Sequence, residues 1–218
     1  MSHVVNTGQS SIPEPTLRRL PWYLSRLAVL KSEGVKHVSS TQLGKDLLLD
    51  SSVIAKDLSF INIRGKTRIG YDVNSLESYL RVILGFQTFH RAVVVGVGSL
   101  GEALIRDHGL RHFGLEIVGG FDIREEIIST DINSTPIFSA DSLAEKIEVL
   151  KAVIGIITVP VEVAQKTAEN LVEAGIRAIW NFTPLPLKVP NEVVIQNTSI
   201  YAPLAIMYNR LSTSERHI

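Results

Sequence analysis

The chain has 218 residues, 45% of them hydrophobic, with 22 basic and 22 acidic side chains and no cysteine. That length suits two domains, and the missing cysteine excludes disulfides, thiolate chemistry and cysteine-ligated zinc and makes the cytoplasm the default location. No run approaches a membrane span, and residues 1–12 lack the basic start and apolar stretch of a signal peptide, so neither a membrane nor a metal is expected as a partner.

Residues 1–14 are polar and read as a flexible arm. Residues 15–32 then place Leu17, Leu20, Leu24, Leu27, Ala28 and Leu30 at helical spacing, with Gly34 as the stop. Pro21 lies inside that pattern and predicts a kink or a restart. Ser39 and Gln42 have capping-box spacing and open a short helix through Leu43 and Leu47. After the turn Leu48-Leu49-Asp50, a second short helix over 52–60 buries Val53, Ile54 and Leu58 and turns Ala55, Lys56 and Ser59 outward, which predicts a helix-turn-helix. Residues 62–71 carry two glycines, three cations and β-branched residues, as expected of a small hairpin with a basic tip. Leu76, Tyr79, Leu80, Ile83 and Leu84 form one face of a closing helix that stops at Gly85. That order is a winged helix, with 86–90 as the linker that follows.

From Arg91 the pattern changes. Ala92-Val93-Val94-Val95 is a continuous apolar run, as in a strand buried on both faces. A helix over 99–108 and a strand over 116–121 follow. Further strands are expected over 154–159, 178–181 and 193–196, and the clearest helix lies over 161–174, before Gly175. Residues 130–150 have no clear period. Strands alternating with helices imply a doubly wound parallel sheet, so the fold class is α/β with a winged helix-turn-helix in front. The charge divides along the same line: residues 1–89 hold eleven Lys and Arg against seven Asp and Glu, and residues 90–218 hold eleven against fifteen. A basic first half beside an acidic second suits a chain whose first domain alone meets a polyanion.

Gly96-Val97-Gly98-Ser99-Leu100-Gly101 fits the dinucleotide fingerprint between a strand and a helix. Gly96 permits the tight turn, Gly98 leaves room for a pyrophosphate, and Gly101 lets the helix pack on the strand. The phosphates are expected on the helix's N-terminal amides. Asp122, 21 residues after Gly101, ends the second strand where an acid accepts hydrogen bonds from the adenine ribose. With Ile123 beside it, this favours NAD(H) over NADP(H), and Arg124 nearby softens the preference. Thr158-Val159-Pro160 and Asn181-Phe182-Thr183-Pro184 end later strands, at the edge where ligands bind in such sheets. For nucleic acid, Ser52, Lys56 and Ser59 are placed to meet a major groove, and Arg64, Lys66 and Arg68 to follow phosphates or enter a minor groove. Arg18 and Arg19 add phosphate contacts.

Together these residues resemble the Rex family of redox-sensing transcriptional repressors. The matching segments are Ile12 to Pro21, Lys56-Asp57-Leu58-Ser59-Phe60, Gly70-Tyr71-Asp72-Val73, Gly96 to Gly101, Ile156 to Pro160, and Ala174-Gly175-Ile176 through Asn181-Phe182-Thr183-Pro184. The resemblance implies a homodimer that represses fermentation and anaerobic respiration genes, binds palindromic double-stranded operator DNA at low NADH/NAD⁺ ratio, and releases it when NADH binds. It also implies a C-terminal helix exchanged between subunits beside the partner's nicotinamide, which makes Phe182 and Ile200 cofactor contacts. Ile200, Leu204, Met207, Tyr208 and Leu211 recur at helical spacing there. The division expected is therefore 1–85 for DNA, 86–198 for the dinucleotide and 199–218 for the exchanged helix. The chain departs from the family's pattern at several places. Ser199, Ser25 and His108 stand where an aspartate, an arginine and a tyrosine are common, Asn62 stands for a glycine, and Ala55 for an arginine. An NAD-dependent oxidoreductase and a CoA- or nucleotide-binding adaptor remain as alternatives, the first disfavoured because no histidine is placed as an acid or base near the crevice.

Overall fold

A computed structural model describes residues 12–214, with side chains to residue 212, so most of the expected N-terminal arm lies outside the described residues. The chain divides into two compact units, Met1–Gln87 and Thr88–Ile218, each with its own core.

In the first unit α1 (Glu14–Ser32), β1 (His37–Val38), α2 (Ser40–Leu47), α3 (Ser51–Phe60), β2 (Tyr71–Asp72) and α4 (Val73–Ile83) follow in order. α1 runs through Pro21 without a restart, one of the two outcomes expected there. A proline in a helix interior costs about 3 kcal/mol. Leu20, Tyr23, Leu24, Leu27 and Leu30 are all buried on either side of it, and each large apolar side chain contributes about 1.5–3 kcal/mol. Burial therefore outweighs the lost backbone bond.

Ser39 caps α2 by accepting from the Gln42 amide at 3.0 Å, while the Gln42 side chain turns to Asp46 instead of closing the box. The turn to α3 is tight: Leu48 is left-handed with φ 55°, and the Leu49 amide donates to Gly44 O at 2.9 Å. A Cβ on Gly44 would stand 2.6 Å from Leu49 O. The expected hairpin over 62–71 is smaller than the sequence implies. Lys66 and Gly70 exchange both backbone bonds around a basic loop, and the next residues, Tyr71 and Asp72, pair back to Val38 and His37. Asp72 then caps α4.

The second unit holds β3 (His90–Val95), α5 (Ser99–Arg106), α6 (Gly109–His112), β4 (Leu115–Asp122), β5 (Asp131–Ile132), β6 (Thr135–Ser139), α7 (Leu143–Leu150), β7 (Ile154–Ile157), α8 (Val161–Glu173), β8 (Ala178–Asn181), β9 (Val194–Asn197) and α9 (Tyr201–Ser214). Among the described residues these strands form one sheet in the order β5-β6-β4-β3-β7-β8-β9, parallel except for the β5–β6 pair. β3 begins inside the segment expected to be linker. The two faces of β3 explain its unbroken apolar run: Val93 and Val95 pack in the core that α7 and α8 cover, while Ala92 and Val94 pack in the core that holds Ile105 of α5. The helix expected to reach residue 108 ends at Arg106, because the Asp107 side chain accepts from the Gly109 and Leu110 amides and starts α6. The region without a period is a hairpin turning on Asn133 and Ser134, both at positive φ, followed by α7. No helix among the described residues is long and apolar enough to cross a membrane.

Candidate functional site: a glycine-lined crevice and a basic helical face

The crevice lies at the carboxyl ends of β3, β4 and β7, where crossovers to opposite faces of the sheet leave a gap. Gly96 makes the turn out of β3 at φ +93°, and a Cβ there would sit 2.8 Å from Val159 N. A Cβ on Gly101 would collide with Gly96 O, so α5 lies directly on the turn. Thr158 reinforces this packing by donating its hydroxyl to Gly96 O at 2.6 Å. Gly98 differs: a Cβ there would meet nothing within 4 Å. Behind it the first-turn amides of α5, at Ser99, Leu100 and Gly101, have no role in the helix's own ladder. An open glycine at the head of a helix, with both flanking glycines pressed into backbone, fits a pyrophosphate.

The gap encloses about 680 Å³ and is lined by Gly96, Gly98, Asp122, Ile123, Arg124, Thr158, Val159 and Pro160, with Val95, Phe121, Ala140, Val163 and Thr167 completing it. Of the sequence-expected residues, Val97 points into the core and presents its amide to Asp122 at 2.8 Å. Ser99, Leu100 and Gly101 lie behind this wall in the first turn of α5, and Asn181, Phe182 and Ile200 also stand outside it. Asn181 is fully buried and makes four bonds inside the protein, to Leu185 O, Asn197 Oδ1, and the Thr183 amide and hydroxyl, so it shapes the loop after β8 and offers a ligand nothing polar. Phe182 packs on Trp180 with ring centroids 4.7 Å apart. Ile200 is half exposed at the start of α9. Ala140, Val163 and Thr167 escaped the sequence reading, although Val163 and Thr167 lie one turn apart on the helix that follows Thr158-Val159-Pro160.

Asp122 is buried and heavily engaged. Its Oδ1 accepts from the Ile123 amide (2.9 Å), the Arg124 amide (3.0 Å) and Arg124 Nε (3.0 Å), and its Oδ2 from the Val97 amide and Arg124 Nη2 (3.2 Å). Burial pushes this carboxyl up, but the bonds from Arg124 and the amides outweigh it and hold it below the usual range.

In the first unit Ser52, Lys56 and Ser59 are exposed on α3, and Arg64, Lys66 and Arg68 are exposed around the loop before β2. A groove of about 510 Å³ runs beside that loop, with His37, Arg64, Lys66, Tyr71 and Tyr79 in its wall. Arg18 is exposed and pairs with Glu14 at 2.6 Å. Arg19 corrects the sequence reading: its Nε and Nη2 lie 2.6 and 2.7 Å from the two oxygens of Asp57, which also accepts from Tyr23 Oη and Thr16 Oγ1. A carboxylate this deeply buried requires a counter-charge, so Arg19 turns inward and fixes α3 to α1.

Comparison with known proteins agrees with this geometry. The family model "CoA binding domain" matches residues 88–185, and "Putative DNA-binding protein N-terminus" matches residues 11–59. The chain is 50% identical to the redox-sensing transcriptional repressor Rex of Bacteroides fragilis over 98% of this chain and 97% of that one, and 51% identical to the Rex of Bacteroides thetaiotaomicron over 94% of each. Among solved structures, a complex of RSP with β-NAD⁺ and operator DNA is similar at TM-score 0.88 and 32% identity, covering 94% of this chain and 95% of that one. The RSP complex with β-NADH gives TM-score 0.85 and 33% identity over 95% and 98% of the two chains. With a winged helix, a parallel sheet carrying a dinucleotide-type turn, and such identity from end to end, the chain belongs to the Rex family of redox-sensing transcriptional repressors.

Proposed function

We propose that this chain represses transcription by binding a palindromic operator as a homodimer, and that it releases the DNA when NADH occupies the crevice. The observation that carries this reading is the joining, in one chain, of an exposed basic helix-turn-helix and a crevice whose central glycine is open while its neighbours are packed shut. Gly98 and the amides opening α5 would hold the pyrophosphate, Ile123 would flank the adenine, and Thr158 with Pro160 would face the nicotinamide half. The bound dinucleotide supplies a redox state, in which NADH and NAD⁺ differ by one charge and by ring planarity. A ligand shifts the equilibrium between DNA-fitting and DNA-releasing forms only through its differential affinity for them.

The cofactor is here a signal and not a reagent. The ionisable side chains in the crevice wall, Asp122 and Arg124, bond to each other, which leaves neither positioned to move a proton. Dimerisation through an exchanged α9 is part of the same proposal. Ile200, Tyr201, Ile206, Met207 and Tyr208 are each close to half exposed, an apolar surface that calls for a partner. A family switch built on an aspartate, an arginine and a tyrosine would meet Ser199, Ser25 and His108 here, and the two serines carry no charge to pair: Ser199 accepts from the Tyr201 amide at 3.2 Å and Ser25 donates to Pro21 O at 3.0 Å. A DNA-binding role places the protein in the cytoplasm.

A gel shift on a palindromic operator, with NADH raised at fixed NAD⁺, tests the proposal. Loss of the retarded band as NADH rises is expected, and a complex indifferent to both nucleotides would refute it.

A further inference from the structure

The adenosine end of the crevice differs from what the fingerprint alone implies. In a site selective for an unphosphorylated ribose, the acid ending the second strand points its free lone pairs at the ribose hydroxyls and repels a phosphate. Here the Asp122 carboxylate, with about four lone-pair sites, already meets five donors. A ribose diol can reach it only by displacing Arg124. The charge is neutralised as well: the Arg124 guanidinium stands across both carboxylate oxygens and also donates to Val97 O at 2.7 Å. Its side chain is 45% exposed and forms part of the crevice wall, beside Ile123 and on the same side as Asp122. Two other carboxylates lie within electrostatic range of Arg124. Glu102 is taken by Arg106 at 2.8 Å, and Glu126 is exposed to solvent.

We propose that Arg124 adapts this crevice to adenosine whose ribose bears a phosphomonoester, so that the protein does not discriminate against such nucleotides as its Asp122 would otherwise dictate. The inference rests on the dinucleotide reading above and deepens it. A guanidinium is planar and always charged, and it presents paired donors that match phosphate geometry. Without a phosphate it stays on Asp122. With one it rotates a short way outward, exchanging a carboxylate for a dianion and leaving Asp122 held by the Val97, Ile123 and Arg124 amides. The phosphomonoester has two common sources, the 2′-phosphate of NADP(H) and the 3′-phosphate of CoA, and the pairs NADPH/NADH and CoA/dephospho-CoA differ in that group alone.

Calorimetric titration of the full chain with these four ligands tests the proposal. An unneutralised aspartate facing the phosphate would cost on the order of a hundredfold in affinity. In the wild type, the phosphorylated member of at least one pair is expected to bind within about tenfold of the other, or more tightly. Arg124→Ala, and Arg124→Gln as the variant that still hydrogen-bonds Asp122, are expected to weaken that phosphorylated member by at least about tenfold, while its unphosphorylated partner holds its affinity or gains some as Asp122 is freed for the ribose. Added salt is expected to narrow the effect of Arg124, because the attraction is screened. If NADH binds well but both phosphorylated ligands are about a hundredfold weaker, or if the pairs respond alike to the loss of Arg124, the inference fails and the dinucleotide reading stands. If none of the four binds, both fail.

Discussion

Two glycines a few residues apart have opposite tolerances. A methyl group on Gly101 would enter the space of Gly96 O, so Gly101→Ala is expected to destabilise the second unit by roughly 2–3 kcal/mol, as overpacking against backbone does, seen as a lower urea midpoint. Gly98 has room around it and an ordinary negative φ of −74°, so Gly98→Val is expected to fold with an unchanged midpoint yet lose NADH affinity. Equal NADH binding by wild type and Gly98→Val in calorimetry would place the pyrophosphate elsewhere. Asp57 raises a different question. Burial pushes its carboxyl up, and the bonds from Arg19, Tyr23 and Thr16 more than reverse this, leaving it below the usual carboxylate range. A depressed carboxyl stabilises the fold at pH values above its unfolded pKa, near 4, and that contribution is lost as pH falls through the folded value. Asp57→Asn is expected to cost roughly 3 kcal/mol at neutral pH, because it leaves Arg19 without its partner, and to flatten the acid limb of stability. Urea titrations between neutral and acid pH would reveal a mere surface pair by parallel curves for the two proteins.

At the scale of elements, α3 carries the nucleic-acid reading. Lys56 is exposed there, on a helix whose buried side holds Ile54, Asp57 and Leu58. Lys56→Ala is expected to lower operator affinity and, if Lys56 meets a phosphate, to reduce the salt dependence of binding by about one unit of slope. NADH affinity should not move; fluorescence anisotropy on labelled operator at several salt concentrations gives both quantities. Which elements could be read from sequence follows from what stabilises them. β3 was legible because burial on both faces leaves an unbroken β-branched run, and the glycine loop because its backbone demands are local. The continuity of α1 through Pro21 was not, since it depends on a tertiary core that outweighs a local penalty. Nor was the β5–β6 hairpin, whose turn uses Asn133 and Ser134 at positive φ without a glycine. Arg19 and Asn181 were misread for a shared reason. Polar side chains near a site look available in sequence, and only the fold shows that buried partners have already claimed them.

The whole molecule combines a basic first unit with a second unit that ends in an apolar helix. Along 201–212 every residue of α9 is exposed, including Leu204, Ile206, Met207 and Leu211. Removing α9 is expected to leave the sheet folded, because its cores draw on no residue of that helix. The same truncation should convert the dimer to monomers in sedimentation velocity and abolish tight operator binding. A truncated protein that still sedimented as a dimer would move the interface away from α9.

The exposure of α9 also bears on how much of the protein a cell must make. If the DNA-competent species forms only when two such helices meet, then at concentrations below the dimer dissociation constant its amount follows the square of the amount of chain. Halving synthesis would then remove about three-quarters of the active repressor, so the target genes would respond to the abundance of their regulator as well as to the nucleotide it carries.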